Sequence, residues 1–215
     1  MKPRILALSL ALACFSLQQS RADVVVSNLG EPISPTYDSW GVFLNNWVGM
    51  KFTTGSNSPS WSLASVDMML VGGVGLLNND LTVRIHADNS GQPGLSLFSL
   101  TGPEPAGDNL PAILNYVPTA PATLASQTSY WLVASTINSH YGWTMTEPYS
   151  GNDTGLDGWS IDDGIIFTQD QGSSWIYYND EPALFAINTT VVPEPGTFAL
   201  LGLGAAALLA RRRRA

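Results

Sequence analysis

Four aspartates stand close together in the stretch NDTGLDGWSIDDG, residues 152–164: Asp153, Asp157, Asp162 and Asp163. Carboxylate and carbonyl oxygens at this density can bind Ca²⁺, a hard cation that prefers oxygen ligands. The spacing of the four aspartates does not match an EF-hand loop, and acidic, glycine-rich stretches also occur as ordinary solvated loops. A solvated loop is therefore the favoured interpretation, with a calcium site as the alternative.

Aromatic side chains near these acids suit a second chemistry, which is stacking on sugar rings. The chain has seven tryptophans, and Trp143, Trp159, Trp175 and Tyr177 flank the acidic loops. The C–H face of a pyranose can pack on an aromatic ring, while nearby Asp and Asn side chains accept hydrogen bonds from its hydroxyls. Burial in the core is favoured for any single tryptophan. An exposed planar strip of these four residues would favour sugar binding.

Residues for catalysis are sparse. The chain has two histidines, His86 and His140, and its single cysteine is Cys14. Zinc sites need several His or Cys ligands, and the sequence contains no G-x-S-x-G nucleophile elbow. Two carboxylates suffice for glycoside hydrolysis, but the sequence singles out no pair. We therefore expect no enzyme activity and no cofactor, apart from the calcium alternative.

Short strands must position these residues, because runs rich in Val, Ile, Thr and aromatic residues alternate with Gly, Pro, Asn, Asp and Ser. In the clearest strand, 81–86, Leu81, Val83 and Ile85 are predicted to face a core and Thr82, Arg84 and His86 to face water. The other predicted strands are 24–29, 42–53, 62–71, 95–100, 112–116, 130–136, 142–146, 165–169, 175–178 and 183–190.

This pattern predicts an all-β fold, an antiparallel β-sandwich of the jelly-roll-like type, because no helical segments separate the strands. A barrel is the alternative that the sequence leaves open. Residues 23–190 form this single predicted domain, and residues 101–112 are predicted to be a long surface loop within it.

The first residues have the pattern of a secretory signal peptide. Lys2 and Arg4 precede an apolar run at 5–17, and Ala22 stands at the predicted cleavage position. Residues 1–22 are therefore predicted to be removed after export through the Sec translocon by signal peptidase. Because Cys14 lies in this segment, the exported body would contain no cysteine and no disulfide.

Charge is distributed very unevenly along the chain. Between Asp23 and Val192 there are two basic residues, Lys51 and Arg84, and sixteen acidic ones, a net charge of −14. Nucleic acids are bound chiefly through Lys and Arg, so nucleic-acid binding by the body is excluded. Anionic membrane surfaces are disfavoured for the same reason.

The last part of the sequence, residues 191–215, combines three features. Pro193, Glu194 and Pro195 are followed by an uncharged stretch at 196–210 and then by four arginines, Arg211, Arg212, Arg213 and Arg214. As a helix the uncharged stretch would span about 22 Å, short of the roughly 30 Å of a bilayer core. The arginines would remain on the cytoplasmic side, so the body would lie outside the inner membrane.

This order of triplet, apolar helix and arginine cluster is similar to the PEP-CTERM sorting signal. The resemblance implies recognition and cleavage near the triplet by an exosortase, in a Gram-negative bacterium that makes exopolysaccharide. The protein would be anchored transiently in the inner membrane and then reach the cell envelope or extracellular matrix. A permanent single-span anchor is the alternative.

The body also resembles the choice-of-anchor R family, exported bacterial β-rich domains with differing anchoring signals. The resemblance is carried by FTTGS (52–56), SLASVDMML (62–70), IHADNSGQPG (85–94), TSYWLVAS (128–135) and GWSI (158–161). It implies an extracellular domain without catalytic residues. The leading interpretation is therefore a noncatalytic surface or matrix protein, with a carbohydrate-binding module that takes extracellular polysaccharide second and a glycan-active enzyme a distant third. The ligand and the oligomeric state are not predicted.

Overall fold

A computed structural model describes residues 22–33, 39–73, 79–146, 155–156, 158–179 and 182–191. These residues form thirteen antiparallel strands and no helix, which confirms the all-β prediction. The strands are β1 (Asp23–Ser27), β2 (Ser39–Phe43), β3 (Trp47–Thr53), β4 (Ser60–Gly72), β5 (Thr82–Asp88), β6 (Pro93–Thr101), β7 (Ala112–Pro118), β8 (Thr123–Ala125), β9 (Ser129–Ser135), β10 (His140–Thr144), β11 (Ser160–Thr168), β12 (Ile176–Asn179) and β13 (Phe185–Val191).

The strands form two layers joined at one corner. The six-strand layer has the order β6-β5-β9-β3-β11-β12, and the other layer is built around β4, which pairs with β13, β7, β8 and β10. Only two residue pairs connect β6 to β7 at the corner. Among the described residues, the strands β1 and β12 at the two ends of the order each pair on one side only.

The core lies between the two layers. Phe52 of β3 and Phe185 of β13 belong to strands that do not pair, yet their ring centroids are 6.5 Å apart. The backbone N–H of Ala183 also points at the Met50 sulfur, at 3.3 Å. Apolar side chains of both layers therefore fill one shared interior, as in a sandwich of two facing sheets.

Burial alternates along β4, the central strand of its layer. Trp61, Leu63, Val66, Met68 and Leu70 are buried, because side chains on one face of a strand recur at every second residue. The alternation skips one residue between Leu63 and Val66, where the pairing with β13 shifts register. A bulge of this kind keeps both halves of a long strand in the same core.

One predicted strand is divided in the structure. The sequence prediction joined residues 42–53, whereas β2 ends at Phe43 and β3 begins at Trp47. Phe43 and Asn46 exchange backbone hydrogen bonds of 3.1 and 2.6 Å across the turn, and Leu44 adopts a positive φ of 39°. The two asparagines of the turn favour such a reversal. The short strand β8 was not predicted.

The first described strand, β1, begins at the same end of the sandwich at which the last strand, β13, finishes. Asp23 pairs with Thr189, and Val191 pairs with Trp61 at the start of β4. We call this end the tail pole. The opposite end, where Gly72 closes β4 against Tyr141, is the free pole. The signal peptide and the apolar helix predicted at 196–210 lie outside the described residues, within which no helix is long and apolar enough to cross a membrane.

Candidate functional site

Two of the four aromatic residues predicted to stack on sugars lie in the core. Trp143 is fully buried, and its indole N–H donates to the Leu184 carbonyl at 3.0 Å. Trp159 is also buried and stacks on Phe52 with an interplanar angle of 8°. Neither ring offers a face to a ligand, so the four residues do not form the single exposed strip considered above.

The other two, Trp175 and Tyr177, lie on the outer face of the six-strand layer, away from the core. Trp175 packs with Trp47 against a small buried cluster of Trp131, Val133 and Ile166. These residues and Tyr177 define a surface that we call the outer aromatic face. Trp47 and Trp175 are half-buried, and Tyr177 is 48% exposed. A sheet with apolar clusters on both faces is unusual for an antiparallel layer, whose outer face is commonly polar.

Two glycines allow the aromatic rings to lie close to the sheet. A Cβ at Gly164 would collide with the Tyr177 ring, and one at Gly172 would lie 3.0 Å from the Trp47 ring. Gly172 also has a φ of +89°, which glycine adopts without strain. Gly172, in the turn between β11 and β12, therefore lies close to two indole rings, since its Cβ position is also 3.6 Å from the Trp175 ring.

Strand register brings distant residues into rows across this face. Trp131 of β9 pairs with His86 of β5 on one side and with Lys51 of β3 on the other. In the next row Arg84 pairs with Val133. Both basic side chains of the body are thus on the outer aromatic face, on strands separated only by β9.

The two cations differ in their partners. The Lys51 ammonium lies 3.3 Å from an Asp162 carboxylate oxygen. Within the described residues no carboxylate lies within 4.0 Å of the Arg84 guanidinium, which is half-buried. A second acid, Asp88, lies on β5 like Arg84, and its carboxylate accepts a hydrogen bond of 2.7 Å from the Trp131 indole N–H. Among the described residues the Arg84 guanidinium therefore has no carboxylate partner, and it lies on the same face of the sheet as the aromatic cluster.

His86 is a neutral neighbour of Arg84. Its Nδ1–H donates to the Gly94 carbonyl at 2.9 Å. Burial lowers the pKa of His86 and the nearby Arg84 charge lowers it further, against the opposing effect of the Gly94 hydrogen bond. The imidazole is therefore uncharged at neutral pH and leaves its second nitrogen as a hydrogen-bond acceptor.

The four aspartates predicted as a possible calcium site are only partly described. Asp162 pairs with Lys51, and Asp163 accepts a hydrogen bond of 3.4 Å from the Tyr177 hydroxyl. Asp153 and Asp157 lie outside the described residues, within which no group of three or more His, Cys, Asp or Glu side chains could hold a metal. Calcium binding remains a prediction.

At the free pole, one carboxylate organises the turn between β9 and β10. Asp80 accepts hydrogen bonds from the Thr136 hydroxyl at 2.5 Å and from the backbone N–H groups of Ile137 and Asn138 at 3.1 and 2.7 Å. Partial burial raises the pKa of Asp80, but these hydrogen bonds and one from Ser139 outweigh it and lower the pKa to about 2.

We expect the Asp80→Asn substitution to lower the free energy of unfolding by about 1 kcal/mol at pH 7, a small value for a charged hydrogen-bond acceptor because Asp80 is partly exposed. Because its pKa falls from 3.8 to about 2 on folding, Asp80 stabilises the fold above about pH 4. This contribution is lost as the pH falls towards 2. Urea denaturation at pH 7 and pH 3 measures both effects.

The control for this prediction is Asp108→Asn, because Asp108 accepts a single hydrogen bond among the described residues, from the exposed Leu110 N–H. It should change neither the stability at pH 7 nor its dependence on pH. If Asp80→Asn lost as much stability between pH 7 and pH 3 as the wild type, the carboxylate would not organise this turn.

The same pole carries an apolar cleft of about 430 Å³. It is lined by Phe43, Leu44, Ile137 and His140, with Leu44 and Ile137 55% and 68% exposed. The His140 ring lies edge-on to Phe43, with the centroids 5.2 Å apart. The cleft offers apolar contact, and its histidine is used to pack against an aromatic ring.

Comparison with protein families gives a match to the tail of the chain. Residues 191–214 match the model of the PEP-CTERM protein-sorting motif. A comparison with curated proteins finds no match. The motif accounts for the triplet, the apolar stretch and the arginines, and it leaves the body unassigned. The resemblance of the body to the choice-of-anchor R family remains a prediction, with which the all-β fold is compatible.

Proposed function

We propose that this chain is a noncatalytic protein of the bacterial cell surface or extracellular matrix. The observation that carries the proposal is the PEP-CTERM motif at 191–214, which indicates a protein sorted by an exosortase. Such a tail implies export and transient anchoring in the membrane before sorting. Removal of the tail would then deliver the body to the envelope or to an exopolysaccharide matrix.

The position of the triplet in the chain supports processing at this point. The last strand, β13, ends at Val191, two residues before Pro193. A proline fixes its own φ and keeps the preceding residue extended. The triplet would therefore separate the body from the apolar stretch and present an extended backbone to an enzyme in the membrane.

The body contains a second Pro-Glu-Pro sequence, Pro103 to Pro105, which is part of the fold. The Tyr116 hydroxyl donates to the Pro103 carbonyl at 2.9 Å, and the Leu81 N–H donates to the Glu104 carboxylate at 3.3 Å. Pro105 is buried. No apolar stretch with an arginine cluster follows this triplet, so we expect the exosortase to process only the one at 193–195.

Deletion of the host's exosortase tests the proposal. In the wild-type host the exported protein should lack Arg211 to Arg214, and in the deletion strain it should retain them in the membrane fraction. Intact-mass measurement of the protein from both strains distinguishes the two forms. Identical masses in the two strains would contradict sorting by an exosortase.

Carbohydrate binding is a second candidate function for the body. The observation that favours it is the outer aromatic face, where Trp47, Trp175 and Tyr177 combine partial exposure with fixed positions. Aromatic rings held in this way can stack on sugars without a large entropic cost. A protein that carries this face into an exopolysaccharide matrix would be retained there by binding it.

A further inference from the structure

Positive charge is concentrated on one face of a strongly acidic body. Lys51 and Arg84 are the only basic residues between Asp23 and Val192, against sixteen acidic residues. Both lie on the outer aromatic face, on either side of β9. Three carboxylates also contact this face, and each has a partner there: Asp88 accepts from the Trp131 indole, Asp162 pairs with Lys51, and Asp163 accepts from the Tyr177 hydroxyl.

Arg84 is the cation that is available to a ligand. Lys51 is paired with Asp162, whereas Arg84 has no carboxylate partner among the described residues. A guanidinium binds a carboxylate through two parallel N–H bonds, which makes it selective for planar anions. Half-burial of the side chain strengthens such a contact, because the charge is less screened by water than a fully exposed one.

One row of paired residues across the sheet leads from Arg84 to Tyr177. The row passes from Arg84 through Val133, Gly49 and Ile166 to Tyr177. It crosses four strand spacings, a distance of about 19 Å. A short oligosaccharide has this length, and it would meet the guanidinium at one end of the row and the tyrosine ring at the other.

We infer that the outer aromatic face binds an acidic oligosaccharide, in which Arg84 holds the carboxylate of a uronic acid and Trp175 and Tyr177 stack on neighbouring sugar rings. The inference rests on the carbohydrate-binding function proposed above and names its ligand class. Neutral His86, beside Arg84, accepts a hydrogen bond from a sugar hydroxyl.

The net charge of the body further limits the chemical class of the ligand. A net charge of −14 repels dense polyanions such as nucleic acids or polyphosphates. A uronate chain carries its charges on separate, stackable rings. It can place one carboxylate on Arg84 while apolar ring faces meet the aromatic residues. Because both basic side chains of the body lie on this face, a carboxylate ligand is expected to bind here.

The test compares tetramers of galacturonate, mannuronate and glucuronate with their methyl esters, by titration calorimetry on the exported protein. Each ester keeps the sugar rings and removes the charge. At least one acid should bind at least about ten-fold more tightly than its ester, the effect of one charged hydrogen-bonded contact. Arg84→Gln should remove that difference without weakening the binding of the ester.

Tyr177→Ala should weaken the binding of both the acid and the ester. Ile113→Ala, which changes an exposed residue on β7 of the other layer, should weaken the binding of neither. Unchanged thermal unfolding of the Arg84 and Tyr177 variants shows that the fold is intact. Equal affinity for acid and ester overturns the acidic-ligand inference and leaves sugar binding standing. No binding of any of the six ligands overturns both.

Discussion

Replacing Pro193, Glu194 and Pro195 together with alanine is expected to slow processing of the exported protein about 100-fold, the effect of displacing a reacting group from its site. Alanine has the highest helix propensity and proline the lowest. The substitution would let the apolar helix extend back towards Val191 and withdraw the backbone from an enzyme that needs an extended segment. Pulse-labelling followed by immunoblotting measures the rate of tail removal.

The second Pro-Glu-Pro sequence supplies the matched control. Glu104→Gln changes the same residue type in a triplet that is hydrogen-bonded into the body. It should leave tail removal at the wild-type rate. If the alanine triplet were processed as fast as the wild type, recognition would depend on the apolar stretch and the arginines alone.

Replacing Trp143 with alanine is expected to lower the free energy of unfolding by about 3 to 5 kcal/mol, the usual cost of removing a large buried aromatic side chain. The substitution would leave a cavity beside Phe185 and remove one of the two hydrogen bonds that the Leu184 carbonyl accepts, the other being donated by the Met69 N–H. Because domains of this size are stable by only about 5 to 15 kcal/mol, this loss would remove a large part of the stability of the fold. Urea denaturation measures the change.

Trp175→Ala is the matched comparison, because Trp175 is half-buried on the outer aromatic face. We expect it to cost about 1 kcal/mol, typical of a change outside the main core. Equal losses of stability for the two tryptophan variants would mean that the outer cluster contributes as much to folding as the interior does. In that case its availability to a ligand would be in doubt.

Much of the strand pattern could be predicted from the sequence, because burial on one face imposes alternation. In the segment 81–86, Val83 and Ile85 are buried as predicted. In the same segment Thr82, Arg84 and His86, predicted to face water, are half-buried. Their burial results from neighbouring strands and side chains that the local pattern does not reveal.

The candidate site could be predicted only in part, because it depends on strand register. Trp143 and Trp175 look equivalent in sequence, as tryptophans close to acidic loops, yet one lies in the core and the other on the outer face. Lys51 and Arg84 are far apart along the chain and lie on either side of β9, because β3 and β5 both pair with that strand. Register is set by cooperative packing of whole strands, which a local pattern does not reveal.

The sorting motif of the tail could be predicted from the sequence, because it depends on the order of residues along the chain and not on tertiary contacts. A triplet, an uncharged stretch of limited length and an arginine cluster are recognisable without any tertiary contact, and residues 191–214 match the sorting motif. Sequence reasoning therefore reached further for the destination of the protein than for its ligand. The ligand is proposed from the outer aromatic face, which only the folded structure assembles.

The most direct measurement of the central claim is the intact mass of the protein isolated from the envelope and matrix fractions of its own host. Sorting by an exosortase predicts a form that ends near Pro193 to Pro195 and lacks the four arginines. An exported protein that still carries Arg211 to Arg214 in these fractions would contradict the account and would make the tail a permanent anchor.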